Sequence, residues 1–521
     1  MTDAIIGRKP SLSTDFRELK TRPVAAIFAV LLGAIISTLT SRITVLGLAD
    51  IRGALGVGFD EGAWINTTFT VAQMFVGPIA VWAAFVMGTR RVLLTGACTF
   101  LLAETLLPLS GGYPTFLALQ ALAGAASGVF VPVTVGFVIR ALPPNLVPFG
   151  VAAYAMNLEM SLNLSATLEG WYSEHLSWHW LFWQNAVLAV GFIAALLAAM
   201  PAEPTKAQAG KGDYIGMLLG ATGFSLLYAA LDQGERLFWF QSPIIGLLVY
   251  CGIVLIAAFI VREFVAEHPG LDLTFFLRRN VALMVCLVVL VRLMVLNTNF
   301  IPPLYLSIVR GLRPLQVGET LRWVAIPQFL FAPMVAMVLL RIDPRKIIVT
   351  GFATIALAFA MGSLITPDWA ETQFIPSQLI QALGQTMALT SIIYYFSKHV
   401  TLQYALTFGA VVQTARLFGG QVGATSIGVL ERVREQFHSN VLGLKVSLYD
   451  PLTVNRLVAE SIPFGAAPQS AADIPGSAFA LLDRAVRVQA TTLALADNYR
   501  FAFACAVSGV CLALLLKRID G

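Results

Sequence analysis

Charge is what this sequence has least of. Only 12% of its 521 residues are Asp, Glu, Lys or Arg, about half the share found in water-soluble globular domains. Hydrophobic residues make up 57%, and the mean hydropathy is +0.78. That balance excludes an ordinary soluble domain. Cysteine is scarce too. Cys98, Cys251, Cys286, Cys505 and Cys511 all fall inside apolar runs without ligand spacing, which argues against a disulfide framework or a thiolate metal centre. The histidines, His175, His179, His268, His399 and His438, lie in loops or at the ends of apolar runs, so no catalytic cluster forms around them and no enzyme is expected. Glu174, His175 and His179 have metal-like spacing but sit in a polar break, and no metal site or cofactor is expected there. No G-x-x-x-x-G-K-[ST] occurs, which removes P-loop ATP hydrolysis. The net charge of +5 is scattered through short loops and does not mark a nucleic-acid surface.

What the sequence has in abundance is apolar runs of membrane-crossing length, roughly 20 residues each. About fourteen spans are expected, near 24–48, 62–87, 92–110, 114–139, 148–169, 180–200, 214–232, 243–263, 281–307, 318–340, 347–366, 375–396, 405–430 and 499–516. The fold class is an all-α polytopic membrane protein, and residues 1–22 read as polar and basic rather than as a cleavable leader. Basic residues collect in the even-numbered connections, as at Arg90, Arg91, Arg140, Lys206, Lys211, Arg278, Arg279, Arg341, Arg345, Lys346 and Lys398. They predict that both termini are cytoplasmic.

A Pro/Gly/Lys linker, PAEPTKAQAGKGD, follows the sixth span. It divides the chain into a six-helix bundle over 1–200, a linker with two extra spans over 201–280, and a second six-helix bundle over 281–521. Such a layout predicts two bundles that rock about a midplane site. Residues 431–498 break the short-loop pattern and predict an external helical hairpin. Val433, Phe437, Val441, Leu444 and Leu448 form one apolar seam, and Phe479, Leu482, Val486, Ala490 and Leu493 form the other. Packing along these seams is expected, and a partner-docking surface is as plausible as a self-shielding hairpin.

Several motifs carry a family resemblance. YSEHLSWHWLFWQN presents Trp178, Trp180, Phe182 and Asn185 after Gly170. ALAGAASGVFVP presents Gly124, Gly128 and Pro132, and TARLFGGQVG presents Arg416, Gly419, Gly420 and Gly423. With Trp64 and the segment RVQATTLALADNYRFAFA, these cover most of the chain. Together they resemble the 14-span drug:proton antiporters of the major facilitator superfamily, the EmrB/QacA type. The resemblance implies a multidrug efflux antiporter in the cytoplasmic (inner) membrane, proton-coupled, exporting amphipathic organic compounds. It also implies a possible periplasmic membrane-fusion adaptor as a partner. The departures fall on the coupling residues. Thr40 stands at the family's span-1 aspartate, Gln120 at its span-4 arginine, Ala123 at the neighbouring glutamine, and Ser165 and Ala166 at its Gly-Pro. Glu169 replaces the first glycine of a pair, and GTRR lacks the loop aspartate, although RIDPRK keeps Asp343 beside Arg345. These losses keep a non-transporting receptor or scaffold alive as the alternative.

A charge inside hydrocarbon persists only in a polar cavity or beside a partner. Glu159 lies about 17 Å up its span by helix rise and is the first expected proton carrier, with Glu169 next. Arg42, Arg292, Asn157, Asn163, Asn297, Asn299, Gln328 and Gln381 are the expected substrate contacts, and two cavity arginines would favour an acidic substrate. Arg42 and Glu169 both reach the outer third and can meet there. Glu104 reads as structural. Arg416, Gly124, Gly128, Pro132, Asp343 and Arg345 are expected to serve packing or gating.

Overall fold

The computed structural model describes residues 23–134, 143, 145–200, 213–266, 276–399, 405–464 and 474–518. Helix dominates, and no strand occurs among these residues. This is the outcome hydrocarbon demands, because a helix satisfies its own backbone hydrogen bonds. The first half holds α1 (Pro23–Leu46), α2 (Leu48–Leu55), α3 (Phe59–Met87), α4 (Thr89–Leu106), α5 (Tyr113–Ser127), α6 (Val147–His175) and α7 (Trp180–Ala199). An inserted pair follows, α8 (Tyr214–Gly234) and α9 (Pro243–Val265). The second half holds α10 (Arg279–Ile308), α11 (Pro314–Ala325), α12 (Gln328–Leu339), α13 (Pro344–Gly362), α14 (Glu371–His399), α15 (Ala405–Gly443), α16 (Pro451–Ser461) and α17 (Gly476–Leu514).

Nine helices among the described residues are long and apolar enough to cross a membrane, or ten if α1 and the bent α2 count as one. Hydropathy alone therefore does not deliver the expected fourteen. The remaining long helices, α6, α14, α15 and α17, are diluted by Asn, Gln, Ser, Thr and charged residues. Three of them, α6, α14 and α15, make contacts between the two halves. Two of the nine spans also carry a local irregularity. The tenth expected span becomes α11 and α12 because Pro327, between them, has no N–H to continue the ladder. The fourth turns at Gly128.

Each half forms a bundle. In the first, α1 packs on α6 and α7, and α5 on α3 and α4; in the second, α13 packs on α14 and α17, and α10 on α15 and α17. Two seams join the bundles: α6 against α11, α12 and α14, and α3 against α15. Lipid gives no hydrophobic drive for helices to associate, so close backbone approach must supply the contact. Gly419 and Gly423 do this within the second bundle, where an added Cβ would lie 3.1 Å from Val289 Cα and 2.8 Å from Leu293 Cα. Gly124 and Gly128 do it between α5 and α3, backing onto the Phe69 and Gln73 carbonyls. Gly409 meets the Pro132 carbonyl from the opposite bundle.

α15 and α17 have 39 residues each, about 59 Å of helix against a hydrocarbon core of roughly 30 Å. Both project beyond the bundles at what is here the hairpin end. Their contact differs from the seam pairing expected of the sequence. Val433, Phe437, Val441, Leu444 and Leu448 are exposed. The two helices are joined instead through Asp497, which accepts from Arg434 at 2.5 Å, His438 at 2.9 Å and Arg500 at 2.7 Å. On the second helix, Leu482 is covered by Leu457 of α16 with Ile474 and Ala478, an element the periodicity did not reveal.

Candidate functional site

Polar side chains gather where α1, α3, α5, α6, α10 and α15 face one another. Arg416 on α15 is buried, at 3% exposure. Its Nε donates to Gln413 Oε1 at 3.0 Å, one Nη to Thr38 Oγ1 at 2.9 Å, and the other to Ser37 Oγ at 3.2 Å. Gln73 Nε2 donates to Ser37 Oγ at 2.9 Å and lies 3.0 Å from Ser127 Oγ. One guanidinium thus ties the second bundle to the first through α1, and the network continues to α3 and α5. Arg292 on α10, 5% exposed, and Tyr154 on α6, 2% exposed, both lie within electrostatic range of Arg416. The Tyr154 hydroxyl has no hydrogen-bond partner among the described residues. Two guanidiniums and a phenol from three helices therefore converge between the bundles.

The other expected substrate residues spread along the seams. Arg42 rests over the Phe300 ring, 5.3 Å from its centroid, and so connects α1 to α10. Asn157 is fully buried, donates to the Leu31 carbonyl of α1, and accepts from Ser161 at 2.9 Å. Gln328, beside the Pro327 break, is fully buried with neither amide atom bonded among the described residues. Gln120, at the position of the family arginine, is in the same condition. Gln381 is buried on α14. Glu159 lies on α6, and Asn163, Asn297 and Asn299 lie on α6 and α10; their side chains are outside the described residues.

Glu169 does not meet Arg42. It is 5% exposed, and its Oε1 lies 3.3 Å from the Ser173 hydroxyl, which is 2.5 Å from Asp50. Two carboxyl groups thus flank one hydroxyl at the hairpin end of α6. Beside them, a Cβ on Gly170 would lie 2.7 Å from the Leu315 backbone nitrogen of α11. Gly318 on α11 in turn backs onto Thr167. Glu169 therefore adjoins a close backbone contact on the α6–α11 seam.

The remaining motif residues pack or cap. Trp178 and Phe116 meet the Phe182 ring edge-on, Trp180 stacks on Tyr172, and Asn185 donates to Glu104 at 3.2 Å within the first bundle. Asp343 caps α13 and binds the Arg345 guanidinium at 2.8 Å, while Arg345 also holds the Leu516 carbonyl at 3.1 Å. That guanidinium holds the Asp343 carboxyl below its usual range. The resulting stability is present above the ordinary carboxylate pKa and fades as pH falls through the depressed value. Among the described residues, no group of three His, Cys, Asp or Glu side chains is placed to hold a metal ion.

Two residues escaped sequence reasoning. Tyr154 sits in an aromatic-poor apolar run and looks like core. Asp232 closes an apolar run and looks like an exit residue, yet Thr67 of α3 donates to its carboxylate and Gln421 of α15 lies within side-chain reach of it. Those partners are far away in sequence, and the only local signal is the polar pair Asp232–Gln233.

Comparison with known proteins agrees with this architecture. The family model described as Major Facilitator Superfamily matches residues 30–424. The multidrug export protein EmrB of Haemophilus influenzae is 23% identical over 426 residues, covering 82% of this chain and 84% of that protein. The fatty acid resistance protein FarB of Neisseria gonorrhoeae is 25% identical over 427 residues, covering 81% and 84%. Among solved structures, the proton:xylose symporter XylE bound to 6-bromo-6-deoxy-D-glucose aligns with a TM-score of 0.56 at 10% identity, covering 92% of this chain and 96% of that one. The human organic anion transporter MFSD10 (TETRAN) aligns with 0.54 at 12%, covering 93% and 99%. At such identities these likenesses speak for the fold.

Proposed function

The chain belongs to the major facilitator superfamily, and from that premise we propose that it is a secondary transporter exporting acidic amphipathic compounds in exchange for protons. The observation that carries the substrate class is the convergence of Arg292, Arg416 and Tyr154 between the bundles. Like charges within electrostatic range of each other in hydrocarbon are costly, and a carboxylate near both relieves that cost. The surrounding apolar helices accept the tail. The names of two relatives, one for multidrug export and one for fatty acid resistance, support an amphipathic cargo. Arg42, Asn157, Asn163, Asn297, Asn299, Gln328 and Gln381 complete the proposed contact set. No observation favours the receptor or scaffold reading.

In this reading residues 1–200 and 281–521 are the rocking bundles and 201–280 is the inserted unit. Rocking exposes the midplane site to each side in turn. Proton-driven accumulation in proteoliposomes, run with acidic, neutral and cationic amphipaths, is the direct test. Accumulation of the acidic members is expected; uptake of cations alone would reject the substrate class.

Glu159 is the proposed principal proton carrier and Glu169 the second. Glu159→Gln should abolish uphill export while leaving substrate binding measurable, because the amide mimics the protonated acid. Glu159→Asp should retain activity with a shifted pH optimum. Wild-type uphill export by Glu159→Gln would remove the residue from the mechanism.

The protein is multi-pass, and we place it in the inner membrane with both termini cytoplasmic and 431–498 outside. The exposed Val433, Phe437, Val441 and Leu444 stripe then faces the periplasm, suited to an adaptor of the membrane-fusion type. Deleting 436–490 should stop export across the whole envelope and spare transport in proteoliposomes. Survival of both activities would reject the adaptor.

A further inference from the structure

The inserted pair does more than widen the molecule. At the hairpin end, α8 is fastened to both bundles. Toward the first, Gln233 Nε2 donates to the Ala63 carbonyl at 3.1 Å, and Arg236 pairs with Asp60. Toward the second, Thr425 donates to the Leu231 carbonyl at 3.0 Å, and Glu235 pairs with Arg432. Asp232 sits between these two sets. It accepts from Thr67 of α3, lies 3.3 Å from Gln233 Nε2, and has Gln421 of α15 within side-chain reach. One carboxyl group therefore spans the α3–α15 seam.

The cations near it are already engaged. Tyr228 on α8 and Arg236 just past its end lie within electrostatic range of Asp232, and Arg236 is taken up by Asp60 and by Gln233 Oε1 at 2.8 Å. The start of α3 brings Asp60 and Glu61, and α15 brings Glu431 and Arg432, the latter bound to Glu235. The donors aimed directly at the carboxylate are neutral. A stripe at three-residue spacing, Thr67, Thr70 and Gln73, runs along buried positions of α3 from Asp232 to the Ser37–Arg416 network. Events at Asp232 and at the central cluster thus share one rigid helix.

We propose that Asp232 is a proton-binding site of the transport cycle, and that its charge decides whether α8 holds α3 and α15 together at the hairpin end. Opening that end parts α3 from α15 and admits water. A carboxylate gains from water far more than a neutral acid does, so loss of the proton favours the open end and binding of the proton favours the closed one. The proton comes from water on the hairpin side and returns to it, and no other bond changes. This rests on the transport reading and adds to it a site outside the central cavity.

The test uses full-length protein in proteoliposomes, with spin labels at Glu61→Cys and Val433→Cys in a background lacking the native cysteines. In otherwise wild-type protein the label separation should lengthen as pH rises from about 5 to 9. With Asp232→Asn it should stay at the short distance throughout, and uphill export and substrate exchange should both fall more than tenfold while substrate binding to the purified protein persists. A separation that still follows pH as in wild type overturns the proposal, as does an undiminished uphill export. If Asp232→Asn does not fold, Thr67→Val gives an independent reading. It removes a donor to the charged form, so the pH at which the label separation is half-changed should move up by about one unit; an unmoved midpoint overturns the proposal. Wild-type protein that accumulates nothing under a proton gradient would instead reject the transport reading itself.

Discussion

Arg416→Met is expected to lower export of an acidic amphipath by at least about a hundredfold, or roughly 2.7 kcal/mol. Two losses combine. The substitution strands Thr38 and Gln413 without the guanidinium that now bonds them, while Ser37 keeps Gln73, and each buried polar group left unpaired costs about 1–3 kcal/mol. It also halves the positive charge at the midplane. Arg416→Lys separates the two losses. It keeps the charge but cannot reproduce a fork that reaches three partners, so binding should weaken less than turnover. Arg292→Gln should weaken an acidic ligand about tenfold and leave a neutral one unchanged. Equal weakening of acidic and neutral ligands, measured by binding to the purified protein, would remove the anion site.

This expectation depends on a distinction the sequence blurs. Arg416 stands beside Gly419 and Gly420 and reads as part of a packing motif. The glycines do pack, against Val289 and Leu293 in the case of Gly419 and Gly423, but the arginine reaches across to Thr38, 378 positions earlier. The apolar runs were legible because lipid demands about 20 apolar residues per crossing, and the Trp178–Asn185 motif identified the fold because its rings and amide lock α7 into the first bundle. Tertiary pairings were not legible. Helix rise brought Arg42 and Glu169 to similar depths, but depth does not fix which way a helix faces. Arg42 turns to Phe300, and Glu169 turns to Ser173. The hairpin failed in the same way: Val433 and Phe437 have core spacing, yet Asp497 with Arg434 and His438 across from it decides which faces meet. A seam held by charge leaves apolar residues outside, and periodicity alone cannot show that.

The α6–α11 seam allows the sharpest mechanical prediction. Gly318 on α11 backs onto Thr167, with an added Cβ 3.0 Å from the Thr167 Cα, and Gly170 on α6 backs onto Leu315 at 2.7 Å. For Gly170 the nearest obstacle is backbone; for Gly318 the Thr167 hydroxyl stands before the Thr167 backbone at 3.0 Å, so a rotamer change there relieves only part of the clash and the helices must ease apart. Overpacking of this kind costs about 1–3 kcal/mol, and the cost falls on the arrangement in which α6 and α11 touch. An equilibrium between two rocking states should shift by about five- to 150-fold toward the state in which this contact is parted. Gly318→Ala and Gly170→Ala should each therefore cut uphill export more than tenfold. They should also raise the reactivity of Thr167→Cys toward a membrane-impermeant maleimide several-fold. Gly53→Ala is the matched control, since an added Cβ there meets nothing within 4 Å. Glu169 adjoins this contact, so parting the helices should also expose its carboxyl to water and alter the pH dependence of whatever transport remains. Full export by Gly318→Ala, with Thr167→Cys as protected as before, would show that this seam does not open during the cycle.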